Sequence, residues 1–161
     1  MSSDAVAVDR LYFEDLVVGW RITTASVRID AAAIKEFAAS FDPQPFHLDE
    51  AAATESFFGG LVASGWHTAA LTMRLLVTSG LPIAGGVIGA GGEITWPRAT
   101  RPGDELTVDC EVIAATPSRS RPERGMVTIR SETRNQKGEV VQVMTARLVV
   151  PRRPAATGVT P

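Results

Sequence analysis

Hydrophobic and polar positions alternate most regularly in the last third of the chain. Across ELTVDCEVIAA at 105–115, Leu106, Val108, Cys110 and Val112 take turns with Thr107, Asp109 and Glu111, which predicts a strand with one covered face. GMVTIRSETR and EVVQVMTARLVV are strand-like as well, and NQKG at 135–138 between them predicts an antiparallel hairpin. EITW, after a glycine cluster, predicts one further strand. Nearer the N-terminus, WRITTASVRI at 20–29 is rich in β-branched residues and predicts a strand. It ends on Asp30, placed to cap a helix through AAAIKEFAAS.

Between these regions the pattern changes. In FDPQPFHL, prolines at 43 and 45 remove backbone donors and push the residues before them out of the helical region, so Asp42 to His47 is expected to be a stiff, irregular loop. Asp49 can cap a short helix through EAAATESFF, Gly59-Gly60 interrupts it, and Ser64-Gly65 signals a second start. From Trp66 to Leu81 the chain is apolar on nearly every side, interrupted chiefly by Arg74 and threonines, so this helix is expected to be surrounded by protein. A strand and a helical region followed by about four antiparallel strands make an α+β fold whose antiparallel sheet wraps a central apolar helix, the arrangement called a hot dog. Residues 1–150 are expected to form this single domain. PRRPAATGVTP at 151–161 has no apolar period and is expected to be unstructured.

Composition narrows the function. A chain of 161 residues with 45% hydrophobic and 21% charged residues suits one packed domain. Its net charge of -2 provides no positive field for phosphate backbones, so nucleic acid is not an expected partner. The single cysteine, Cys110, excludes an internal disulfide and is expected to pack inside. The N-terminal residues lack the pattern of a secretory signal, which makes the cytoplasm the expected location. Phe57 to Val77 is long enough to cross a bilayer but contains Gly59, Gly60, Gly65, His67 and Arg74, which favours a buried helix and no membrane association. Two histidines and one cysteine supply no ligand set at zinc-like spacing, so no metal is expected. GGVIGAGG at 85–92 precedes a strand where a dinucleotide site requires a helix, and reads as strand-entry punctuation.

The candidate chemistry lies on the proline-stiffened loop. Asp42 and His47 could place a carboxylate and an imidazole on one water or substrate; equally, Asp42 could cap a turn while His47 bonds backbone. Gly65, at a helix start, could offer an unpaired N–H to a developing negative charge, or could simply permit close packing. His67 reads as a core or pocket-wall residue, and Arg119, Arg121 and Arg124 as a solvated loop between strands.

FDPQPFHLDEAAATESFFGGLVASGWHT resembles the signature D-x-N-P-x-H-x-D of the MaoC-like dehydratases and (R)-specific enoyl-CoA hydratases, with Asp42, Pro45, His47 and Asp49 in place. WPRATRPGDEL at 96–106 resembles the same family's strand-turn-strand segment. The resemblance covers roughly Leu11 to Val150. It implies the hot-dog fold, Asp42 and His47 as catalytic acid and base in unassigned order, and Gly65, Ser64 and Gln44 as the substrate-binding residues beside them. The implied reaction adds water to a 2-enoyl-CoA, or removes it, with no cofactor beyond the coenzyme A of the substrate. The implied partner is an acyl-CoA or acyl-carrier thioester, in a homodimer or higher homo-oligomer. Gln44 stands where the family has Asn, and Ser64 where it commonly has His. The alternatives are a hot-dog acyl-CoA thioesterase and a non-catalytic acyl-thioester binding module.

Overall fold

The computed structural model describes residues 9–155. Strands β4 (Glu105–Pro117), β5 (Arg124–Arg134) and β6 (Val140–Pro151) form an antiparallel meander. The alternation read from the sequence sets which face is covered: Leu106, Val108, Cys110 and Val112 on β4 are buried, with Val127 and Ile129 of β5 and Leu148 and Val150 of β6 beside them. The turn at 135–138 closes through the Gly138 N–H on the Asn135 carbonyl, with Gly138 at φ +74°. Such a positive φ costs glycine nothing.

The segment at 20–29 is two short strands where one was expected. β1 (Arg21–Thr23) and β2 (Val27–Arg28) both pair with β4. Between them the Thr24 hydroxyl accepts from the Val108 N–H, and the Ala25 N–H turns to the Ser79 hydroxyl. Those side-chain bonds replace ladder bonds and kink the strand. The glycine cluster is also more than punctuation. β3 (Ile88–Thr95) begins inside it and pairs antiparallel with β6, completing the order β1-β4-β5-β6-β3. A bulge lies between Gly89 and Gly91, and a Cβ on Gly92 would sit 2.3 Å from the Thr145 carbonyl oxygen. Only glycine lets β3 approach β6 so closely.

Helix α1 (Ala31–Phe41) starts as expected, with Asp30 accepting from the Ala33 N–H. The stretch after it is a short helix, α2 (Pro45–Leu48), and not an irregular loop throughout. Pro45 occupies its first position, where a missing N–H costs no bond. Asp49 caps α3 (Glu50–Thr54) through the Ala52 N–H.

Helix α4 (Gly65–Leu75), continued by a wider turn over Leu76–Gly80, crosses the covered face of the sheet. It is not surrounded on all sides. Thr68, Thr72 and Leu75 face inward at helical spacing, while Trp66 is 60% and Val77 53% exposed. A single sheet covers one side of a helix and leaves the other open.

Part of the segment expected to be an unstructured tail is ordered. Pro151 ends β6, the Arg152 N–H donates to the Glu123 carbonyl, and Arg152 and Arg153 form ion pairs with Glu14 and Asp15. The hydrogen bond from Arg152 and that from the Arg153 backbone pull the Glu14 carboxyl down to about 2. Residues 156–161 of the expected tail lie outside the described residues.

Candidate active site

The chain runs from α1 into α2 with a bend, and the bend is where the site forms. Asp42 closes α1 at φ -152°, ψ 68°, which turns its carboxylate away from the helix axis. α2 then carries His47 back toward it, so that His47 Nε2 lies 3.3 Å from Asp42 Oδ2. On the other side of the ring, His47 Nδ1 is 2.7 Å from the Val62 carbonyl oxygen. A carbonyl only accepts, so Nδ1 carries a proton and Nε2 is the nitrogen free to exchange one. The imidazole is buried, and its Nε2 edge borders a cleft of about 400 Å³.

Three side chains hold the carboxylate. Ser64 Oγ donates to Oδ2 at 2.7 Å and Gln44 Nε2 donates to Oδ1 at 2.7 Å, with His47 as the third neighbour. Burial is the largest single influence on Asp42 and opposes ionisation; the bonds from Ser64 and Gln44, with the charge of His47, outweigh it together. The carboxyl is held below its ordinary value, and is ionised at neutral pH.

Ser64 has a second task. Its hydroxyl oxygen accepts from the Trp66 N–H at 3.2 Å, capping α4, while its hydrogen goes to Asp42. It was expected in the substrate-binding wall and lies behind it: Ser64 is fully buried, and acts through Asp42. Gln44 lines the cleft and braces the same carboxylate from the solvent side. Gly65 lines the cleft at the first turn of α4, and among the described residues its N–H has no hydrogen-bond partner. The site thus brings together Asp42, His47, Gln44 and Gly65, with Ser64 one layer further in.

His67 takes no part. It stacks on Phe37 of α1 with ring centroids 4.5 Å apart, and burial pushes its pKa down. Arg119, Arg121 and Arg124 are exposed around the β4–β5 turn. No helix among the described residues is long and apolar enough to cross a membrane.

Trp96 of the cleft, and Gln142 buried behind it, are not marked by the sequence patterns above. Trp96, at the end of β3, forms one wall, and its indole N–H donates to Gln142 Oε1 at 2.9 Å. A signal for Gln142 existed, because it shares strand parity with the buried Leu148 and Val150. A polar residue in an inward register is one that needs a partner. The Val62 carbonyl, as backbone, left none.

Residues 16–144 match the family described as the FAS1-like dehydratase domain region. The chain belongs to this family. Among solved structures, this dehydratase-family chain is similar to the MaoC-like dehydratase from Rhodospirillum rubrum, with 66% identity and a TM-score of 0.88 over 90% of this chain and 99% of that one. The (R)-hydratase from A. caviae involved in PHA biosynthesis is 30% identical, with a TM-score of 0.70 over 86% of this chain and 99% of that one. The uncharacterized protein YdeM of Bacillus subtilis (strain 168) is 35% identical over 127 residues, 77% of this chain and 87% of that protein. This chain shares the hot-dog fold of these two solved structures, and in it the six-stranded antiparallel sheet folds against α4.

Proposed function

We propose that this protein hydrates 2-enoyl thioesters, or dehydrates 3-hydroxyacyl thioesters, using Asp42 and His47 as its acid/base pair. The observation that carries the reading is the 3.3 Å approach of His47 Nε2 to Asp42 Oδ2, with both groups on the cleft that Gly65 lines. The thioester carbonyl accepts the free Gly65 N–H, which favours negative charge on its oxygen and polarises the conjugated double bond. A water held by the pair attacks the β-carbon. One member takes its proton, the proton crosses the short Nε2–Oδ2 contact, and the other member delivers it to the α-carbon, so that both groups end as they began; elimination runs the same steps in reverse.

Product analysis tests this directly. With crotonyl-CoA the expected product is a 3-hydroxyacyl thioester; release of free thiol would replace the reading by thioester hydrolysis, and binding without turnover by a non-catalytic acyl-thioester binding module.

Ser64→Ala provides a finer test. Loss of the cap is expected to cost about 1 kcal/mol of stability. Loss of the Ser64 bond also removes one of the forces keeping Asp42 ionised, so its pKa is expected to rise. Activity that depends on the carboxylate is present above that pKa and lost below it. The acidic limb of kcat/KM should therefore move to higher pH; an unmoved limb would show that Asp42 is not the group being titrated.

We also propose that the working form is at least a homodimer. β3 pairs with β6 on one side only, and Trp66, Met73 and Val77 leave an apolar stripe of α4 open beside it. Sedimentation is expected to give a dimer or larger at micromolar concentration. An active monomer there would refute it.

A further inference from the structure

We infer that Trp96 sets the size of the acyl group this site admits, and that Gln142 holds its ring in the position that does so. The inference rests on the acyl-thioester reading above and adds to it a residue that limits the substrate. Trp96 lines both the cleft of about 400 Å³ that holds Asp42 and His47 and a neighbouring groove of about 630 Å³. Phe58, Trp96, Arg98 and Ala99 line both, and the indole is the largest side chain of the four. A substrate group that outgrows the cleft in that direction meets the ring.

The indole is held from three sides. The ring lies against the start of α4, so close that a Cβ on Gly65 would be 2.7 Å from Trp96 Cε2. Trp66 meets it edge to face, with centroids 5.5 Å apart. The third restraint is Gln142. An indole N–H only donates, so Gln142 must turn its oxygen to Trp96, which leaves its amide nitrogen for Thr72 Oγ1 at 3.1 Å. Thr72 in turn donates to the Thr68 carbonyl and receives Thr133. Every group in this chain has one consistent role, so the ring has one orientation. Because its N–H is taken, Trp96 presents only apolar ring surface to the substrate.

Gln142 is fully buried on the inward face of β6, where an aliphatic side chain would fill the core at lower desolvation cost. Its two bonds go to Trp96 and to the network behind it, which makes it a positioning residue for the wall.

The test compares kcat/KM for crotonyl-, hexenoyl-, octenoyl- and dodecenoyl-CoA in the wild type, Trp96→Ala, Trp96→Phe and Gln142→Leu. The wild type is expected to favour the short chains. Trp96→Ala joins the two spaces, and is expected to raise the dodecenoyl-to-crotonyl ratio by about tenfold or more. Trp96→Phe and Gln142→Leu each break the same bond, so each should raise the ratio by less, and the double variant should do no more than the larger single one. Gln142→Leu is expected to fold, since Trp96 is 39% exposed and its ring can turn to bring the N–H to water, and Thr72 keeps Thr68 and Thr133. A ratio unchanged across the variants would overturn the inference. So would an equal loss at every chain length, because a wall against the constant coenzyme portion behaves that way. Calorimetric binding of saturated acyl-CoAs of graded length reads the same ratio without turnover. A shifted binding ratio in a protein that never hydrates would leave Trp96 in its role and remove the hydratase reading alone.

Discussion

Asp42→Asn and His47→Gln are each expected to lose between about 10²- and 10⁴-fold of hydratase turnover while folding normally and binding acyl-CoA with little change. Folding should survive because the replacements keep size and most bonds. A glutamine amide can still donate to the Val62 carbonyl where His47 Nδ1 does, and the Ser64 hydroxyl can reverse its role toward an asparagine amide. The proton chemistry cannot be replaced, since neither amide titrates in this range. If the two residues serve one water, the double variant should be little worse than the more severe single one. Full turnover by either variant on crotonyl-CoA or a longer enoyl-CoA would sink the assignment. Unfolding of both, read by circular dichroism, would instead make Asp42 a helix terminator and His47 its structural partner.

Gly65→Ala is the second large effect, and helix propensity alone points the wrong way. Alanine at the first position of α4 should favour the helix by up to about 1 kcal/mol. Its methyl carbon would, however, fall 2.7–2.9 Å from three atoms of the Trp96 ring, which Gln142 holds in place. Overpacking of that kind costs about 1–3 kcal/mol. Relief by moving the ring disturbs the wall beside the carbonyl site, so turnover is expected to fall by at least about tenfold, since a small misplacement there can cost more. The decisive measurement repeats the substitution in a Trp96→Ala background. There the thermal unfolding penalty should vanish or reverse. An equal penalty in both backgrounds would place the strain elsewhere.

All three substitutions fall on residues that the sequence itself points to, and the reasons differ. Asp30, Asp49 and Ser64 cap their helices as local chemistry dictates, because a cap involves side chain and backbone within three residues. The alternation along β4 was equally readable, since one covered face imposes it. What could not be read depended on partners distant in the chain. The break at Thr24 to Ser26 exists because Val108 and Ser79 meet that segment, and the entry of β3 into the glycine cluster follows from the nearness of Thr145. Asp42 and His47 could be named from their spacing and the family pattern, but their geometry rests on Ser64 and the Val62 carbonyl, 22 and 15 residues away in sequence. The apolar run of α4 shows which surface avoids water but not which neighbour covers it, and within one chain only the side facing the sheet is covered.

The buried contacts of α4 have a further consequence for a chain made from its N-terminus. The inward hydroxyl of Thr72 is met by Thr133 and Gln142, which lie 61 and 70 residues later. α1 to α4 are therefore all synthesised before β3 to β6, whereas β4 and β5 each pair with the next strand to appear. Chains halted before Gln142 lack β6, and the inward stripe of α4 is then incompletely covered. Such nascent chains should be cut readily by protease within 65–75, and protection should arrive in one step once β6 has emerged.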